Sequence, residues 1–145
     1  MQTSLLKKNH LLITIAVMIA AGASVATAQI KKGKSRAVQT SQWMRGVIKP
    51  HCDGLKKGLE SPPADDKAWE QLAVHAAVLN ESSYLLMDDG RCPDGVWANA
   101  ATKTLRNGSS ELLAAIERKD ASEAKAAFGR TTAACKECHE KHKEK

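Results

Sequence analysis

Apolar residues recur every three or four positions through most of this chain, in four separate stretches. In the first, roughly residues 36–60, Met44, Ile48, His51, Leu55 and Gly58 share one helical face. The second, about 65–88, repeats Trp69, Leu72, Ala76, Leu79, Ser83 and Leu86. The third, about 94–119, follows Trp97, Ala101, Leu105, Gly108, Leu112 and Ile116. The fourth starts at Asp120 or Ser122 and carries Ala124, Phe128, Thr131 and Cys135 towards residue 142. A 3/4 alternation marks an amphipathic helix with one buried stripe. No stretch sustains the period-2 alternation of a half-buried strand, so a sheet is not expected.

The breaks between these stretches are equally legible. "ESPPADD" at 60–66 and "DDGRCPDG" at 88–95 are dense in turn formers, and Asp65 or Asp66 can cap the second helix. Pro50 falls inside the first stretch, where it lacks an N–H and clashes with the preceding turn, so helix one is expected to kink or split there. Asn107-Gly108 weakens the third stretch, but the stripe runs through it and one helix is the expectation. Short connections make successive helices antiparallel neighbours. The predicted fold is all-α, an antiparallel up-down-up-down four-helix bundle.

The N-terminus stands outside that fold. Lys7 and Lys8, the apolar run "LLITIAVMIAAGASV" and the small residues Ala26-Thr27-Ala28 read as an export signal over 1–28, cut after Ala28. The apolar run is short for a membrane span, so no membrane insertion is expected after cleavage. Residues 29–35, "QIKKGKS", read as a flexible arm, and 36–145 as one helical domain. The expected location is the periplasm or another compartment outside the cytoplasm. Removing the two signal lysines lowers the net charge from +6 to +4. That mild basicity suits an acidic protein partner, whereas nucleic acid is not expected, because no basic stripe with interleaved aromatics exists. The aromatic rings are Trp43, Trp69, Trp97, Tyr84 and Phe128, which leaves a thin core that a large apolar cofactor would fill.

The chemistry concentrates in "CKECHEKHKEK". At about 100° per residue, Cys135, Cys138 and His139 face the same side of the fourth helix. Two thiols spaced in this way can attack the two vinyl groups of a porphyrin, and the adjoining imidazole then falls under the iron. That is the basis of C-x-x-C-H as a covalent c-type haem attachment. A zinc site built from Cys135, Cys138, His139 and His142 is a rival, although one helix rarely wraps a tetrahedral metal. A thioredoxin-type pair needs a strand-to-helix context that is missing here. Export favours haem, since attachment takes place outside the cytoplasm.

An exported four-helix chain with its CxxCH on the last helix resembles the class II cytochromes c, the cytochrome c′ and c-556 family. The resemblance covers residues from about 36 to 143. It implies one covalent haem c near the open end of the bundle, with thioethers from Cys135 and Cys138 and His139 as proximal ligand. The family often follows the haem histidine with an aromatic and a basic residue; here His142 and Lys143 stand there. His142 projects from the same helix and cannot ligate the opposite face.

The second axial position decides the function. Met44, His51, His75 and Met87 are the candidates. In the c-556 branch a first-helix methionine binds the iron, and Met44 in "SQWMRG" occupies the matching place; in the c′ branch an apolar residue blocks that side. His51 lies about two turns, roughly 10 Å, deeper than Met44. His75 and Trp43 are candidate pocket residues, each with a plain packing reading beside it. Cys52 and Cys92 are left over, and in an oxidising compartment they are a disulfide candidate, provided the region after Pro50 brings their Cα atoms within about 7 Å. A monohaem electron carrier with His139/Met44 ligation is the leading reading, with redox proteins as partners. The alternatives are a five-coordinate nitric oxide or carbon monoxide binder and a non-haem metal-binding bundle. No acid/base pair, nucleophile constellation or phosphate loop suggests an enzyme. The family commonly forms homodimers, which adds a second copy of the chain as a candidate partner.

Overall fold

The computed structural model describes residues 34–143, so the expected export signal and most of the arm lie outside the described residues. Within them the chain forms four helices and no β-strand. Helix α1 spans 40–58 in three joined segments, Thr40–Trp43, Met44–Ile48 and Lys49–Gly58, the middle one π-helical. Helix α2 is Asp66–Met87. Helix α3 spans 95–117, with a π-helical segment Ala100–Arg106 between Gly95–Asn99 and Asn107–Glu117. Helix α4 is Ala121–His142.

The caps explain these starts. Asp65, Asp94 and Asp120 each sit in extended backbone and accept the N–H of the residue three further on, Ala68, Trp97 and Glu123. Each bond satisfies one of the amides that a helix start leaves orphaned. The first helix opens on a Gln39/Gln42 capping box. The expected break at Pro50 takes another form. Lys49 donates its amide to the Met44 carbonyl, five residues back, and Pro50 then falls in the first turn of Lys49–Gly58. There its missing N–H costs little, and the irregularity is absorbed in a widened turn, so α1 is not split.

Cross-helix bonds join the early part of each helix to the late part of the next. Trp43 on α1 donates its indole N–H to Ser82 on α2 at 3.1 Å. Trp97 at the start of α3 donates its own to the Leu86 carbonyl near the end of α2, at 2.7 Å. Lys119, just past α3, pairs with Asp66 at the head of α2. Glu137, late in α4, accepts from Asn99 at 2.6 Å and Thr104 at 3.2 Å on α3. The arm is tied at its end: Asp89, in the α2–α3 loop with φ 58°, takes the Ser35 and Arg36 amides on its carboxylate. Ser35 and Lys34 are therefore anchored, in contrast to the flexibility expected of 29–35.

The predicted stripes of α2 and α3 are buried throughout, from Trp69 to Leu86 and from Trp97 to Ile116. Leu55, Leu79 and Leu112 are fully enclosed, and trimming any of them to alanine is expected to cost about 2–5 kcal/mol. The exposed ion pairs, such as Arg130 with Glu111 and Glu123, contribute about 0–1 kcal/mol each. Burial of the stripes therefore dominates, although α4 presents mostly Ala124, Ala127 and Ala134.

Small residues let α3 and α4 approach closely. A Cβ on Gly108 would lie 3.0 Å from the Cα of Thr131, a contact backbone cannot relieve by rotating a side chain. This is why the glycine interrupts no helix: it is a contact point. Gly108→Val is expected to destabilise the protein by about 1–3 kcal/mol, read as a lower urea midpoint at unchanged slope. An unchanged midpoint would remove this contact as a determinant of helix spacing.

Candidate functional site

Successive helices pack along their lengths, but no comparably extensive contact joins α1 to α4. Between them lies a cavity of about 420 Å³, within the range of about 300–1,000 Å³ common for small-molecule sites. Met44, Ile48 and Cys52 line it from α1, and Cys135, Cys138 and His139 from α4. Trp97 closes the floor. An adjoining recess continues inward past Leu86, Ala101 and Leu105. The three residues of the C-x-x-C-H motif are thus brought to one wall of an apolar cleft, with Met44 among the residues lining the other.

The two motif thiols sit in different environments. A hydrogen bond from Cys52 lowers the Cys135 thiol to about 7, outweighing its burial. The same contact, followed by burial and the Cys135 charge, pushes Cys52 strongly upward. Burial, then the charges of Cys135, Asp94 and Glu137, raises Cys138 to about 11. Cys135 is therefore the better nucleophile of the pair near neutral pH. Burial and then Lys143 lower the His139 pKa, which favours the neutral imidazole that a metal requires.

Other predicted residues are placed elsewhere. His75 does not reach the cleft: its ring packs edge-on against His51 with centroids 5.0 Å apart and Nδ1 atoms 2.9 Å apart. It seats in the notch left by Gly54, where a Cβ would come within 2.5 Å of its Nε2. Burial and then His51 lower its pKa. His51 is thereby engaged away from the cleft. Trp43 faces Ser82 and a shallow groove with Tyr84 and Arg106, so it too is no cleft residue. The expected Cys52–Cys92 bridge is not formed. All four cysteines are free thiols, Cys52 meets Cys135, and Cys92 donates to the Asp94 carbonyl at 3.4 Å. The physical reason is that α1 runs on through Pro50, carrying Cys52 into the cleft. Met87, at the last turn of α2, packs on the core and lines the same groove as Trp43. Among the described residues no three His, Cys, Asp or Glu side chains are grouped to hold a metal ion, which counts against the zinc reading.

Three features escaped the sequence reading. Trp97 was legible only as a stripe position, yet it lines both parts of the cleft. His142 takes up the aromatic role, its ring edge-on to Trp97 at 5.5 Å and its Nε2 3.3 Å from the Asp94 carboxylate. Arg91 is buried to 1% exposure, with Nη1 3.5 Å from the Thr40 hydroxyl and its charge felt at Asp89. A lone arginine in a turn gave no signal of this.

Paired thiols and an imidazole on one wall of an apolar cleft, in an all-helical chain, fit a covalently held haem: Cys135 and Cys138 would hold the ring and His139 the iron, supplying a one-electron redox centre. Residues 87–143 match the family model described as Cytochrome C'. That span takes in the α2–α3 loop, α3 and the C-x-x-C-H of α4, and it agrees with the class II resemblance and supports a c-type haem cytochrome. No curated protein and no solved structure gives a match.

Asp94 ties the floor of this site together. Its carboxylate takes the Trp97 amide at 3.0 Å and Lys141 at 2.7 Å. The Lys141 bond first, then the Trp97 amide, hold its pKa down to about 2 from 3.8. The folded-state value lies below the unfolded one, so this stabilisation is complete above pH 3.8 and is lost as pH falls towards 2. Asp94→Asn is expected to flatten the fall in urea midpoint across that window. An acid limb identical to that of the unsubstituted protein would show that Asp94 is not involved.

Proposed function

We propose that the mature chain is an exported, periplasmic monohaem c-type cytochrome that carries electrons, with His139 as proximal and Met44 as distal ligand. The observation that carries this reading is that Met44 lines the same cleft as Cys135, Cys138 and His139. A thioether opposite an imidazole favours ferrous iron and raises the potential relative to two histidines. Two protein ligands suit electron transfer because the iron need not change coordination. The bundle is read as antiparallel and up-down-up-down, which the early-to-late bonds between successive helices support, with the haem near the end where α1 begins and α4 finishes. Among the described residues no helix is long and apolar enough to cross a membrane, in keeping with a chain released after signal cleavage.

Arg45, Lys49 and Lys143 stand exposed around the cleft. A basic rim suits docking of an acidic redox protein and steers its approach. No acid/base pair is arranged for catalysis in this reading, and the protein is a carrier and not an enzyme.

The five-coordinate alternative draws on the Cytochrome C' match and on Ile48, an apolar residue lining the cleft from α1 beside Met44. Optical spectra of protein matured with haem-attachment machinery separate the two. The electron carrier is expected to be low-spin, with a methionine–iron charge-transfer band that Met44→Ala abolishes. A high-spin ferrous form that takes up carbon monoxide readily in the unsubstituted protein would replace it with the gas-binding reading. Absence of any haem band would sink both.

A further inference from the structure

Cys52 has no role in the attachment chemistry, yet it is half-buried in the attachment cleft and in hydrogen-bond contact with Cys135. The two residues come from facing helices and line both parts of the cavity. Other pairings of the four thiols are less favoured. Cys135 and Cys138 are one helical turn apart, where Cβ atoms are held about 5–6 Å from each other by the intact helix. A disulfide needs about 3.5–4.5 Å. Cys92 is committed to the Asp94 carbonyl in the loop that caps α3.

We infer that Cys52 and Cys135 form a disulfide in the haem-free chain, which masks the first attachment thiol until a dithiol reductant releases it. The two thiols give up two protons and two electrons as the Sγ–Sγ bond forms. A disulfide-bearing oxidant accepts the electrons and is cleaved to two thiols; a dithiol reductant reverses the exchange and regenerates Cys52 and Cys135. The bridge staples α1 to α4 across the one gap where helix packing is missing, closing a long loop that constrains the unfolded chain. It also shields Cys135 from irreversible oxidation, to which an accessible thiolate is prone. The consequence for haem rests on the reading of Cys135 as an attachment thiol; the bridge itself does not. Once Cys135 is consumed in a thioether, Cys52 remains as a free thiol.

The test uses the full mature chain made without haem-attachment machinery. It is equilibrated with oxidised glutathione, alkylated, digested and mapped by peptide mass spectrometry. The expected product is a Cys52–Cys135 crosslink, with alkylation of Cys135 at least about tenfold below that of the dithiol-reduced chain. Both Cys52→Ser and Cys52→Ala should restore Cys135 alkylation, and Cys92→Ser should leave the crosslink in place. A dominant Cys135–Cys138 or Cys52–Cys92 bridge, scrambled pairing from an unfolded chain, or four alkylated thiols would each overturn the inference. Haem-attachment yield is scored separately. A mapped Cys52–Cys135 bridge in a chain that never takes haem leaves the bridge standing and rejects the cytochrome reading.

Discussion

The indole of Trp97 holds the site end of this molecule together. Its N–H would be costly to bury without a partner, and the Leu86 carbonyl supplies one at 2.7 Å. That bond pins the last turn of α2 to the first turn of α3 across a loop with two successive positive-φ residues. On its other side the ring meets His142, the last residue of α4. Asp94 closes the circuit by capping the Trp97 amide and holding Lys141. Three helix ends thus converge on one side chain that is 3% exposed. The face it turns to the cleft is the floor beneath Cys138 and His139.

What the bundle leaves unpacked matters as much. A four-helix core normally closes on itself around a central apolar stripe. Here α4 offers mostly alanines, and the gap between it and α1 is not filled by side chains. The aromatic poverty of the sequence is consistent with this, since a large apolar group is needed to complete the core. Both π-helical segments line the cavity, Met44 and Ile48 from one, Ala100, Ala101 and Leu105 from the other. A π-helical turn changes which residues face a neighbour without ending the helix, and such turns gather at functional sites. In α1 the widened turn also accommodates Pro50, so one irregularity serves both backbone and cleft.

Helix positions and buried stripes were readable because 3/4 periodicity and aspartate caps are local properties of the chain. The expected second helix at about 65–88 is Asp66–Met87, and the third at about 94–119 spans 95–117. The spacing of Cys135, Cys138 and His139 was likewise local, as was the first-helix register that set Met44 above His51. Pairings between helices were not readable. His51 with His75, and Cys52 with Cys135, depend on which faces meet, and no local pattern encodes that. The Cys52–Cys92 expectation failed for the same reason: it assumed that Pro50 would turn the chain, whereas the π-helical turn carries it straight on. Gly108 looked like a weakness in a helix until the Thr131 backbone appeared opposite it.

The sorting of donor atoms follows from these pairings and bears on the proposed ligation. A distal ligand must come from across the cleft and must be uncommitted. His51 and His75 satisfy each other, so using either would break their contact and leave a buried nitrogen without its partner. Cys52 is engaged with Cys135, and its strongly raised pKa keeps it a thiol, a poor iron ligand beside a thiolate. Met44 pays neither penalty: its thioether needs no hydrogen bond and carries no proton to lose. The soft donor proposed for the iron is thus the donor on α1 whose use disrupts nothing else.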